Sequence, residues 1–126
     1  MRLQRTIAGA LVTAGLALGI AATGATPAAA DTAFGCGYPQ VCFYKTQADW
    51  DARRWTAAYK DVTSYFQNLS SGAVGAKWVH NSRNDDGALL RFSSGGTYCL
   101  QPGWSWQTAP GAAGPTGIRI MDSPTC

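Results

Sequence analysis

Apolar and polar positions divide the chain into two unlike parts. Residues 7–22 form an almost continuous apolar run, interrupted only by glycines and one threonine, behind a basic start at Arg2 and Arg5. Beyond residue 31 the run gives way to short β-branched and aromatic stretches separated by Gly, Pro, Ser, Asn and Asp. That rhythm is the one strands and turns produce. Strands are predicted over residues 40–44, 54–59, 63–66, 76–81, 88–92, 97–100, 104–107 and 117–121, with a loop over 67–75. No stretch there sustains a 3.6-residue apolar period, although residues 47–58 have room for one helical turn. Short strands at even spacing predict an all-β, two-sheet sandwich.

The amino-terminal part reads as an export signal. Its basic start, apolar run and small residues Ala28-Ala29-Ala30 are the three regions of a secretory leader. The run is short and glycine-rich beside a membrane span of ~20 residues. Cleavage before Asp31 is expected, leaving residues 31–126 as one small domain, soluble and extracellular.

Charge changes little in this picture. Losing Arg2 and Arg5 from the ten Lys and Arg leaves eight basic residues against seven Asp, a net of +1 rather than the whole-chain +3. No basic run argues for nucleic acid, and no second apolar span argues for a membrane.

The cysteines change more. Cys36, Cys42, Cys99 and Cys126 all lie in the exported part, and an even count in a small secreted domain reads as a disulfide framework. Three pairings are possible. Pairing nearest neighbours gives Cys36–Cys42, around the turn residues Gly37, Tyr38 and Pro39, and Cys99–Cys126. The chain-entropy model assigns about 2 kcal/mol to the smaller ring and about 3.5 to the larger. A zinc site fits poorly, because no C-x-x-C pair is present.

Residues 95–103 draw attention as candidate chemistry. They enter through Gly95-Gly96, leave through Pro102-Gly103, and carry Cys99 followed at once by Leu100. A tethered segment offering one apolar side chain imitates a substrate, with Leu100 expected to stand exposed. Among the aromatics, Phe43, Trp55, Phe66, Trp78 and Phe92 fall in strand-like runs and are expected in the core. Trp104 and Trp106 flank Ser105, so in a strand both share one face, either packed beneath the Cys99 loop or open as a ligand platform with Trp50.

Enzyme signals are thin. His80 is the single histidine, there is no glutamate, Asp49 and Asp51 are close in sequence but expected in a surface loop, and no nucleophile-elbow or zinc-binding motif is present. No enzyme and no cofactor is expected. Asn68-Leu69-Ser70 matches a glycosylation sequon.

The opening Cys36-Gly-Tyr-Pro-Gln-Val-Cys42-Phe-Tyr44, the region around Asn81 and the closing Gly117-Ile-Arg-Ile-Met-Asp-Ser-Pro-Thr-Cys126 resemble the Streptomyces metalloproteinase inhibitor-like family of secreted peptidase inhibitors. The resemblance covers most of residues 36–126. It implies a βγ-crystallin-like sandwich of two Greek keys with two disulfides, and inhibition of thermolysin-like zinc metalloproteases by a rigid, substrate-like loop. The family's reactive bond maps onto Cys99 and Leu100, with the Cys99 carbonyl approaching the enzyme's zinc and Leu100 filling its apolar pocket. The implied partner is an extracellular metalloprotease, and a monomer is expected. Two departures stand out. Tyr44 and Trp50 are one residue further apart than the crystallin corner has its aromatics, and Ala52 stands where glycine is expected. Asn84, Asp85 and Asp86 offer oxygen ligands for calcium, but Ala88, Leu89 and Leu90 occupy the hydroxyl positions of that fold's calcium motif, so a solvated turn is expected. The alternative to an inhibitor is a crystallin-like module binding glycan, cell wall or calcium.

Overall fold

The computed structural model describes residues 32–126, and the expected export signal at residues 1–30 lies outside the described residues. The fold is all-β, with antiparallel sheets and two disulfides. Among the described residues no helix is long and apolar enough to cross a membrane.

A small hairpin comes first, β1 (Thr32–Ala33) and β2 (Cys36–Gly37), turned by Phe34 and Gly35 at φ of 56° and 75°. Then follow β3 (Val41–Tyr44), α1 (Gln47–Asp51), β4 (Ala57–Tyr59), β5 (Gln67–Asn68), β6 (Trp78–Asn81), β7 (Ala88–Phe92), β8 (Thr97–Leu100), β9 (Ser105–Gln107) and β10 (Pro115–Ile120). Two four-stranded sheets result, ordered β4-β3-β6-β9 and β5-β10-β7-β8. Each half of the chain therefore lends one strand to the other half's sheet: β5 joins the later strands and β9 the earlier ones.

Alternation along the strands builds two cores. In β3, Val41 and Phe43 face the partner sheet and pack with Val79, Leu90, Leu100, Ile118 and Ile120. Cys42 and Tyr44 point the other way, into a second cluster with Cys36, roofed by Phe34, Trp50 and Trp78. Helix α1 brings Trp50 there. It starts at Thr46, whose hydroxyl accepts from the Asp49 amide at 3.1 Å while the Asp49 carboxylate accepts from the Thr46 amide at 3.2 Å, a reciprocal cap. Trp50 then stacks between Phe34 and Trp78, 4.3 Å from each ring.

Some expectations needed correcting. Residues 63–66 are not a strand: Thr63 donates its hydroxyl to the Tyr65 carbonyl at 2.6 Å, which curls the chain, and β10 pairs instead with β5, inside the expected loop. Trp55 is 40% exposed rather than buried, because it precedes β4 and escapes the strand's alternation. The β1-β2 hairpin was not foreseen, since two-residue strands carry no measurable period.

Candidate functional site at the stapled loop end

Antiparallel register gathers three connections at one end of the sandwich. Asn81, the last residue of β6, pairs with Val41 at the start of β3. On its other side the Asn81 amide donates to the Trp104 carbonyl at 3.0 Å, and the Gly103 amide donates to the Asn81 carbonyl at 2.8 Å. The segments 38–40, 81–87 and 101–104 thus lie side by side.

Buried polar groups lock them together. The Asn81 side chain is fully buried and donates to the carbonyls of Asp86 at 2.9 Å and Leu100 at 3.0 Å, while its oxygen accepts from the Arg83 amide at 3.0 Å. With both amide protons and the oxygen engaged, such a residue holds its neighbours in one arrangement. Ser82 donates its amide to the Gln40 carbonyl at 3.0 Å and its hydroxyl to the Cys36 carbonyl at 2.6 Å.

Arg83 is the hub. Its guanidinium is buried against the Asp86 carboxylate at 2.5 and 3.0 Å, and also donates to the carbonyls of Pro39 at 2.9 Å and Lys60 at 3.1 Å. Its Cζ lies 5.8 Å from the centre of the Tyr38 ring. The Tyr38 hydroxyl donates to Asp85 at 3.1 Å, and that carboxylate raises the phenol above its ordinary pKa by favouring the protonated form.

The Cys99–Cys126 bridge closes this end, as Cys36–Cys42 closes the second cluster, both in the nearest-neighbour pairing. Gly87 makes room for it. A Cβ there would stand 3.2 Å from the Cys126 sulfur and 3.3 Å from the Cys99 sulfur. The Gly87 amide and carbonyl meanwhile bond to Ser123 at 2.7 Å and Met121 at 2.9 Å, strapping the carboxyl-terminal segment down.

Leu100 does not stand where the sequence suggested. It is 0% exposed and belongs to the inter-sheet core. Alternation in β8 explains this: Cys99 points outward to its disulfide, so Tyr98 and Leu100 must point inward. The exposed apolar side chain of the stapled segment is Trp104, at 50%. Trp104 also parts company with Trp106. It precedes β9, whereas Trp106 turns inward against Tyr98 and Phe92 at 4.5 and 5.6 Å. Trp50 is committed to its stack, so the three tryptophans form no common platform.

The acidic turn is likewise built around a cation from the chain itself. Asp86 is taken by Arg83, and Asp85 lies between Tyr38 and Arg83. Among the described residues no group of three His, Cys, Asp or Glu side chains converges to hold a metal. The Arg83 hub was not apparent in the sequence, because its carbonyl partners come from distant segments.

His80 serves the second cluster. It is 3% exposed, meets the Phe34 ring edge-on at 4.9 Å, and its Nδ1 lies 2.8 Å from the Ser105 hydroxyl. Burial pushes its pKa down from 6.5 to about 4, so it is neutral at pH 7. An unfolded chain takes up this proton first as pH falls, so stability drops between about 6.5 and about 4 and levels below. Thermal midpoints measured across that window should fall more steeply for the wild type than for His80→Gln. Parallel curves would contradict the assignment.

No protein-family model, curated protein or solved structure matches this chain. The reading of the loop end rests on its own geometry.

Proposed function

We propose that this chain is a secreted peptidase inhibitor of thermolysin-like zinc metalloproteases, with residues 101–104 as the contact loop and Trp104 as its apolar anchor. One observation carries the reading: Trp104, half exposed, sits on a turn fixed through both backbone bonds to Asn81 and placed directly after the Cys99–Cys126 staple. A loop already held in shape loses little conformational freedom on docking. A tryptophan at its tip supplies the large, rigid contact typical of interface anchors. The role implied for the Cys99–Leu100 bond passes to this neighbouring turn, since the Leu100 side chain is enclosed in the core. Inhibition then consists of occupying the protease's apolar subsite and cleft, without need of a cleaved bond.

The strand order supports the βγ-crystallin-like reading. The exchange of β5 and β9 between sheets is what two Greek-key halves produce when each gives a strand to the other. Two disulfides and the absence of a membrane-crossing helix among the described residues are compatible with an exported, extracellular monomer.

Inhibition of a thermolysin-like enzyme, titrated with protein recovered from the medium of a secreting host, tests this. Wild type should inhibit below about 1 μM, and Trp104→Asp should weaken inhibition by roughly 100-fold or more at an unchanged thermal midpoint. Equal inhibition by both proteins removes Trp104 from the contact. No inhibition by wild type at about 10 μM removes the function altogether.

A further inference from the structure

The opposite end of the sandwich holds a feature that the loop end does not use. Where β7 and β9 finish and the chain loops toward β10, the structure forms a groove of about 420 Å³. That volume falls within the roughly 300–1,000 Å³ of small-ligand sites. Phe92 and Trp106 give it aromatic walls, and Ala112 lies on the exposed connection beside them. Ser93, Ser94 and Gln107, all exposed, add two hydroxyls and an amide. Among the described residues no charged side chain lines it.

We propose that this groove binds a neutral saccharide unit. The reasoning is by matching of groups. A charged ligand would lose hydration there and find no opposite charge. A purely hydrocarbon ligand would leave the hydroxyls and the amide without partners as it covered them. A pyranose presents an apolar C–H face for the rings and, at its rim, hydroxyls that both donate and accept, as serine and glutamine require. Trp106 adds an independent sign. Its indole N–H is buried and has no acceptor among the described residues, and buried donors of that kind ordinarily have one. Seating a sugar oxygen as that acceptor requires the indole to turn its N–H toward the groove. The site is separate from Trp104 and stands or falls apart from protease inhibition, because it lies where β9 ends whereas Trp104 precedes the start of β9.

The test uses the secreted protein, ¹⁵N-labelled, with three neutral probes (cellotriose, chitotriose and maltotriose), a charged one (trigalacturonate) and an apolar one (4-phenylbutanol). At least one neutral trisaccharide should shift amide signals of residues 92–94 and 106–113 at concentrations up to about 10 mM. Ala112→Arg, which alters an exposed position outside the core, should weaken that binding roughly tenfold or more without changing the thermal midpoint. Trp104→Asp should bind the sugar as wild type does. Silence from all three neutral probes overturns the proposal. So do shifts confined to residues 101–104, equal binding of trigalacturonate, or occupation by phenylbutanol alone.

Discussion

Leu100→Ala is expected to lower the unfolding free energy by about 2–5 kcal/mol, the range for truncating a fully enclosed leucine. The side chain lies between the sheets among Ala88, Leu90 and Ile118, and its strand partner Ala88 is itself buried, so the surroundings have little scope to collapse into the gap. Leu100→Asp is more severe: it places an unpaired carboxylate in that core and should prevent folding. Trp104→Ala offers the contrast. Half exposed at the tip of its turn, it should change stability by no more than about 0.5 kcal/mol. Urea denaturation of the three variants decides the matter. A Leu100→Ala protein as stable as wild type would return this leucine to the surface and revive the Cys99–Leu100 bond as the reactive one.

The signal against an exposed Leu100 is present in the sequence. Turn residues on both sides of residues 97–100 suggest a protruding segment, and β8 has the predicted bounds. Yet a strand whose middle residue reaches outward to a disulfide must send its two neighbours inward, and that period of two fixes Leu100 in the core. The same rule failed for Trp104 and Trp106 for the opposite reason. Trp104 lies one residue before the strand, where Gly103 and the bonds to Asn81 set the direction. Strands β7 and β8 were legible because Gly-containing turns bound them and their apolar residues are long enough to show a pattern. The exchange of β5 and β9 was not, since two or three residues carry no pattern and their partners lie in the other half of the chain. Least visible was Arg83. In the run Arg83-Asn-Asp-Asp86-Gly it has the composition of a solvated turn. Its burial follows from the Pro39 and Lys60 carbonyls, which no local spacing brings near.

That burial makes Arg83→Met the second large effect expected, a loss of about 3–5 kcal/mol. The substitution keeps most of the apolar stem while leaving the enclosed Asp86 carboxylate without its cation and two carbonyls without a donor. Removing both charges, as in Arg83→Met with Asp86→Leu, should recover part of the loss, since an uncompensated buried charge costs more than an apolar pair. Recovery stays incomplete, because the Pro39 and Lys60 carbonyls still lack the donor that Arg83 supplied, at about 1–3 kcal/mol each if they remain dry. A double-mutant cycle on unfolding free energies therefore separates two roles. Strong coupling between Arg83 and Asp86 makes the ion pair the main contribution. Weak coupling with a large single-site loss assigns it to the bonds that clamp residues 39 and 60. Either way the Tyr38 segment loses its support, so amide signals from Tyr38 and Gln40 should broaden in Arg83→Met while those of Gly103 and Trp104, bonded to Asn81, stay sharp. If the Tyr38 and Gln40 signals stay sharp while stability falls by less than about 1 kcal/mol, that segment is held without Arg83.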